Sequence, residues 1–491
     1  MLYLHESKLI FFLKICKYSI LTFISILFYF GLVNYSGNKF NYLLFSIISN
    51  FLIYFAFRRN SIFFETFFSL LLWLGFWFKF SCTILLQEGL FGEEVGSFDY
   101  SLFSFDKSLI VSQVGIISFI LSGYLREFFI FNYPQKIKYN FKKVNFFSKN
   151  RIKIWILFII IFIMINFLNY YFKIYQKGLL PIYDINFFVS GIFKWLLLFG
   201  LTSISSLLIF YEINTFKFFF ISSSLIIFSE TFLTSLSMLS RGMIFNALAL
   251  AFGIYIFSKK INITSNLKYH FKSFFIIIAL FYISVNYVNY IRANYFYVGK
   301  STEFTKDKQS QENAKKKFNL TQLNSEIIYL AVNRWVGIDG VMAVVSKTEK
   351  LKTKLLIDSL KEKKNTKEAN FYERNFNIKT IDYSNQLYKN YVKGNILPGI
   401  IGYLFYSGSL LLLFISIFIL TITSSLIEYA AFKLSYNNLI FSALIGQVIA
   451  FRFIHFGYLP NQTYYLFGTI FITIFIIYLL NNFLRKYKTY D

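Results

Sequence analysis

The chain has 491 residues, 56% of them hydrophobic, and a net charge of +26. Apolar runs of about 20 residues recur from end to end, each long enough to cross a hydrocarbon core about 30 Å thick. A soluble multidomain chain is thereby excluded, as is a β-barrel, because strand-like alternation is absent. The basic excess is read as loop charge on one face of a membrane, so no nucleic-acid partner is expected. The two cysteines, Cys16 and Cys82, are too few for a cysteine metal cluster or a disulfide framework.

Twelve spans are expected, near 16–34, 41–57, 61–86, 108–130, 152–171, 189–210, 216–238, 243–258, 272–291, 396–420, 437–455 and 464–483. No small-residue cleavage site follows the first, which is read as a retained span. With the N-terminus cytoplasmic, the tails and short loops of that side hold 21 Lys and Arg, and those of the other side hold 6. The segment PQKIKYNFKKVNFFSKNRIK, 134–153, is the strongest basic anchor, and the acidic QEGLFGEEVGSFDYSLFSFDK, 87–107, suits the outside. The expected fold class is an all-α polytopic integral membrane protein of about 12 transmembrane helices with both termini cytoplasmic.

The chain divides into spans one to nine (1–291), a large external loop (292–395) and spans ten to twelve with a cytoplasmic tail (396–491). The loop carries 20 Lys and Arg against 11 Asp and Glu, yet counting places it outside; long loops translocate largely regardless of charge. Within it, KDKQSQENAKKKFN, 306–319, reads as a mobile solvated arm. The stretch 323–347 is apolar at helical spacing. Ile327, Leu330, Ala331, Arg334 and Ile338 share a face beside Trp335, which suggests helices on or dipping toward the outer leaflet. EKLKTKLLIDSLKEKK, 349–364, reads as a charged amphipathic helix. Pro398 with Gly399 suits a sharp turn into span ten.

Ionisable groups at membrane depth are costly and usually functional. Four arginines fall on the outer side: Arg241 at the hinge between spans seven and eight, Arg292 ending span nine, Arg334 in the large loop, and Arg452 ending span eleven. Singly, each also reads as an interfacial residue with a solvated head; together they can line one outward cavity. Arginine is the residue for diphosphate or carboxylate, because its planar fork stays charged and binds two oxygens at once. The chain lacks a phosphate-binding P-loop, a dinucleotide Gly-rich loop and a paired-aspartate motif, so a lipid-linked phosphate fits better than a soluble nucleotide. His455 is the single outer histidine and has the intrinsic pKa of a general base. Asp339 is a second base candidate. Glu230 is a third, with an ion pair to Lys79 or Lys194 as its structural alternative.

The segments IYQKGLLP (174–181), LSRGMIF (239–245), NRWVGIDGVMAV (333–344) and LPGIIGYLFYSG (397–408) sit in a chain of about twelve spans with a large late outer loop. In these respects the protein resembles the oligosaccharide repeat-unit polymerase family, the Wzy-type O-antigen and capsule polymerases of bacteria. The resemblance implies a GT-C-like, metal-independent, inverting glycosyltransferase of the inner membrane with its active site facing the periplasm. It needs no cofactor. Its partners would be the bilayer, an undecaprenyl-pyrophosphate-linked oligosaccharide and a chain-length regulator protein. On this reading Arg241, Arg292, Arg334 and Arg452 bind pyrophosphate and glycan, and His455 or Asp339 activates the acceptor. The chain departs from the paired arginine-rich signature of some relatives: Arg241 and Gly253 follow it only approximately, and the large loop lacks a clean copy. Two rival readings share the composition: a surface-glycan ligase using the same donor, and a flippase or other transporter.

Overall fold

The computed structural model describes residues 2–86, 98–136, 145–177, 186–216, 220–261, 267–293, 332, 334–362, 371–376, 397–457 and 460–485. Regular structure among them is entirely helical. In chain order the first nine helices are α1 (Leu2–Asn34), α2 (Lys39–Ala56), α3 (63–86), α4 (102–130), α5 (Asn145–Phe172), α6 (187–216), α7 (220–237), α8 (Ile244–Lys260) and α9 (Leu267–Ala293). Four short helices follow: α10 (Ile338–Val345), α11 (Thr353–Leu360), α12 (Phe371–Phe376) and α13 (Gly399–Leu404). The last three are α14 (Leu410–Leu434), α15 (Leu439–Ile454) and α16 (Pro460–Arg485). Eight helices among the described residues are long and apolar enough to cross a membrane, and Tyr18–Asn34, Ile278–Ile291 and Leu439–Ile454 are shorter apolar helices.

Local chemistry explains where the long helices start. Asn38, Ser101, Asn186, Ser409 and Asn438 each turn a side-chain oxygen onto a backbone N–H of the first turn of α2, α4, α6, α14 and α15. Such a cap satisfies a donor that the helix itself cannot, which matters most where water is scarce. The tenth span begins at Leu410, not near 396. Gly408 takes a left-handed φ of 72° and Ser409 caps the new helix, so the turn expected at Pro398–Gly399 lies a short helix too early.

The short α15 is the axis of the bundle. Nearly all of its residues are buried, and it packs against α3, α6, α8 and α14. Two glycines permit these approaches. A Cβ on Gly253 would lie 2.9 Å from the Ile440 Cα, and one on Gly446 would lie 2.6 Å from the Phe64 nitrogen. Gly253 therefore belongs to a helix–helix contact and not to a loop signature.

An ionic knot locks the end of the bundle where α2 meets α3. Glu65 takes hydrogen bonds from Arg58 (2.8 Å) and Arg126 (2.6 Å), while Arg58 also reaches Glu127 at 2.7 Å. Glu428, from α14, accepts the first N–H groups of α3 from Phe63 and Phe64 at 2.9 and 2.6 Å, and Tyr133 donates to it at 2.6 Å. Arg126, Glu65 and Glu428 are wholly buried. Charges so placed persist only when every one is paired.

Part of the large loop enters the bundle. Every residue of α10 is buried, and the helix packs against α4 and α13, which removes the surface-lying alternative and leaves the inward-dipping one. Glycines bring the backbones together: a Cβ on Gly337 would lie 2.3 Å from the Gly75 carbonyl oxygen, and one on Gly340 2.5 Å from that of Pro398. Gly75 stands about 18 Å into α3 at 1.5 Å per residue, so this part of the loop reaches mid-bundle depth. Irregular backbone is tolerated there because protein covers it. The amphipathic α11 forms over a shorter range than expected, burying Leu356 and Ser359. Residues 306–319, 327, 330 and 331 lie outside the described residues.

Candidate functional site

The hinge between α7 and α8 is built by three local contacts. Leu239 adopts a left-handed φ of 48°. The Ser240 amide returns to the Ser235 carbonyl at 2.9 Å, and Ser240 Oγ accepts from the Gly242 amide at 3.3 Å. A single 3-10 turn, Arg241–Met243, results. It holds Arg241 half-buried, with Nη1 donating to Asn289 Oδ1 of α9 at 3.0 Å.

Two groups close on this hinge from other elements. The Lys177 amide donates to the Met238 carbonyl at 2.9 Å, docking the chain that follows α5. A Cβ on Gly242 would meet the Phe451 ring edge at 3.4 Å and Lys177 Nζ at 3.7 Å, so the hinge is small because its neighbours are close. Lys177 Nζ sits 5.6 Å from the centre of the Phe451 ring.

His455 caps the end of α15 and stacks on Phe451, with centroids 4.0 Å apart and planes at 24°. Its Nδ1 lies 3.0 Å from the Phe451 carbonyl oxygen. With Nδ1–H donating there, Nε2 is the basic nitrogen. Arg452 Nε donates to Thr463 Oγ1 of α16 at 3.0 Å, and Tyr175 lies within electrostatic range of Arg452. Lys194 Nζ stands 5.6 Å from the Tyr175 ring centre. The charges of Lys177, Arg334 and Arg452 all act on His455. An aromatic chain, Trp335–Phe245–Phe451 with centroid spacings of 6.3 and 5.3 Å, ties the Arg334 segment to the same place.

Arg241, Arg334 and the Arg452–His455 end of α15 come from three separate stretches of chain. Arg292 stands in the last turn of α9, three residues after Asn289, and its side chain lies outside the described residues. Lys177 and Asn289 belong to the site, though neither stands out in the sequence. Lys177 is visible within IYQKGLLP, but nothing local to that motif distinguishes it from ordinary loop charge.

Asp339, the second base candidate, lies 5% exposed in α10. It forms a buried ion pair with Lys79 of α3, which also donates to the Trp335 carbonyl at 3.1 Å. Its charge reaches Tyr372, whose hydroxyl burial pushes well above its ordinary pKa. The pairing gives Asp339 a structural role, compensation of a buried ammonium. Glu230 pairs with neither Lys79 nor Lys194. It lies 1% exposed in a π-helical turn, 229–234, where Thr202 donates to its Oε1 at 2.7 Å.

In comparisons with known proteins, no family model, curated protein or solved structure matched the chain.

Proposed function

We propose that the chain is a polymerase that joins undecaprenyl-pyrophosphate-linked oligosaccharide repeat units into O-antigen or capsular polysaccharide. It would work on the outer face of the bacterial inner membrane, as a GT-C-like protein of twelve spans with cytoplasmic termini and a chain-length regulator as partner. The observation that carries this reading is that Lys177, Arg334 and Arg452 act on His455, while Lys177 also approaches the Gly242 hinge that holds Arg241. Such a site is suited to a diphosphate presented from the lipid plane.

In the proposed reaction an acceptor hydroxyl attacks the anomeric carbon of the donor glycan. The new glycosidic C–O bond forms as the bond to undecaprenyl pyrophosphate breaks, with inversion. His455 Nε2 takes the hydroxyl proton. Negative charge developing on the departing pyrophosphate meets fixed guanidiniums in a site of low dielectric, where such stabilisation is strongest. Arg241, held by Asn289, and Arg452, held by Thr463, are preorganised for this work.

The test is purified protein with a lipid-linked repeat unit as sole substrate. A ladder of products supports polymerisation, and its loss in both Arg241→Ala and His455→Gln supports the site. With a surface-glycan acceptor added in a second reaction, single transfer to it without a ladder identifies a ligase. Accumulation of lipid-linked units on the inner leaflet in cells lacking the protein identifies a flippase.

A further inference from the structure

At the opposite end of α5 from the hinge lies a second feature. Trp155, Phe158, Ile159, Phe162 and Ile163 of α5 face Leu225, Ile226, Ser229 and Leu233 of α7 across a groove of about 310 Å³. Phe158, Phe162 and Ile226 form a buried floor, at 6, 3 and 4% exposure, while Ile159, Ile163 and Leu225 remain exposed as its walls. One end is charged. Arg151 pairs there with Glu212 of α6, Trp155 Nε1 donates to Glu212 at 3.3 Å, and the Arg151 side chain is still 37% exposed. Asn150 breaks the helical path at this point, and the exposed Lys149 and Lys153 flank Arg151 in sequence on either side of the kink.

We propose that this groove binds one anionic phospholipid of the leaflet at the basic end of α5. Three observations converge on that occupant. From Arg151 to Ile163 the helix rises about 18 Å, close to half of a hydrocarbon core of about 30 Å, so the groove is one leaflet deep and matches an acyl chain. Its walls are apolar and open sideways to the hydrocarbon. Lys149, Arg151 and Lys153 cluster at the headgroup level, where basic residues attract anionic lipid by about 1 kcal/mol each. The Arg151–Glu212 pair is neutral as a unit, and the two lysines supply the net charge that a phosphodiester answers.

The bound lipid acts on the far end of the same helix. Asn169 donates to the Ser237 carbonyl at 2.8 Å, and Ser237 Oγ donates to the Asn166 carbonyl at 3.1 Å, so α5 is a strut beneath the Arg241 hinge. A chain filling the groove braces that strut against α7.

Thermal unfolding of the purified full chain tests this, with added palmitoyl-oleoyl phosphatidylglycerol, the matching phosphatidylcholine or undecaprenyl phosphate as probes. Phosphatidylglycerol should raise the midpoint by several degrees and phosphatidylcholine by less than half as much. Leu225→Trp, which fills the groove from a lipid-facing position, should abolish the shift. Lys149→Gln/Lys153→Gln, which leaves the Arg151–Glu212 pair intact, should reduce it to the phosphatidylcholine level. Equal stabilisation by both phospholipids, an unchanged response in Leu225→Trp, or stabilisation by undecaprenyl phosphate alone would overturn the proposal. The readout is binding, so its failure is separable from failure of the polymerase reading.

Discussion

Asp339 shows how one residue's partner changes its meaning. In RWVGIDG it resembles a catalytic carboxylate; in the fold it compensates Lys79, 3% exposed in α3. Asp339→Asn is expected to lower stability by about 3–5 kcal/mol, because a buried ammonium loses its counter-ion. The double variant Lys79→Met/Asp339→Leu should recover most of that loss in the same thermal melt. Were Asp339 the base, Asp339→Asn would melt normally and make no polymer. For Arg241 the expectation is chemical. Arg241→Lys keeps the charge but loses the fork, and polymerisation should slow by about 100-fold, the scale of one lost oxyanion contact, with the melting midpoint little changed.

At the scale of elements, α10 depends on glycine at its crossings. Gly340→Ala sets a methyl 2.5 Å from the Pro398 carbonyl oxygen, and Gly75→Ala sets one 2.2 Å from that of Val336. Each should cost about 1–3 kcal/mol through forced backbone movement. Gly191→Ala in α6 is the matched control: nothing lies within 4 Å of its added methyl. There the better helix propensity of alanine should leave stability equal or raised by up to about 1 kcal/mol. Urea or thermal unfolding of the three variants side by side checks the ordering. The helix itself is expected from the sequence, but its full burial is not, for a definite reason. Its apolar face is compatible with a leaflet surface and with a protein interior alike, and only the surrounding glycines distinguish the two.

For the whole molecule, the charge asymmetry of the loops makes a topological prediction. Lys136, before α5, and Asn186, before α6, are both exposed and are separated by one long apolar helix. In a Cys16→Ser/Cys82→Ser background, Lys136→Cys should react with an impermeant thiol reagent only from the cytoplasmic side, and Asn186→Cys only from the outside. Labelling of both from one side would remove the proposed orientation of the site.

Most of the long helices are legible along the chain, because a membrane-length apolar run and its polar cap are local properties. Eight helices among the described residues are long and apolar enough to cross a membrane, and the helix at the expected tenth span starts at Leu410 instead of near 396. The sequence also singled out Arg241, Arg334, Arg452 and His455, since charge at the ends of apolar runs is visible without a fold. Only the tertiary structure decided which charges are occupied. Asp339 pairs with Lys79; Glu65 and Glu127 pair with Arg58 and Arg126; Glu428 caps α3 from 365 residues away. In a low-dielectric interior a charge must find a partner, and here the partners come from distant segments that only packing brings within hydrogen-bond reach.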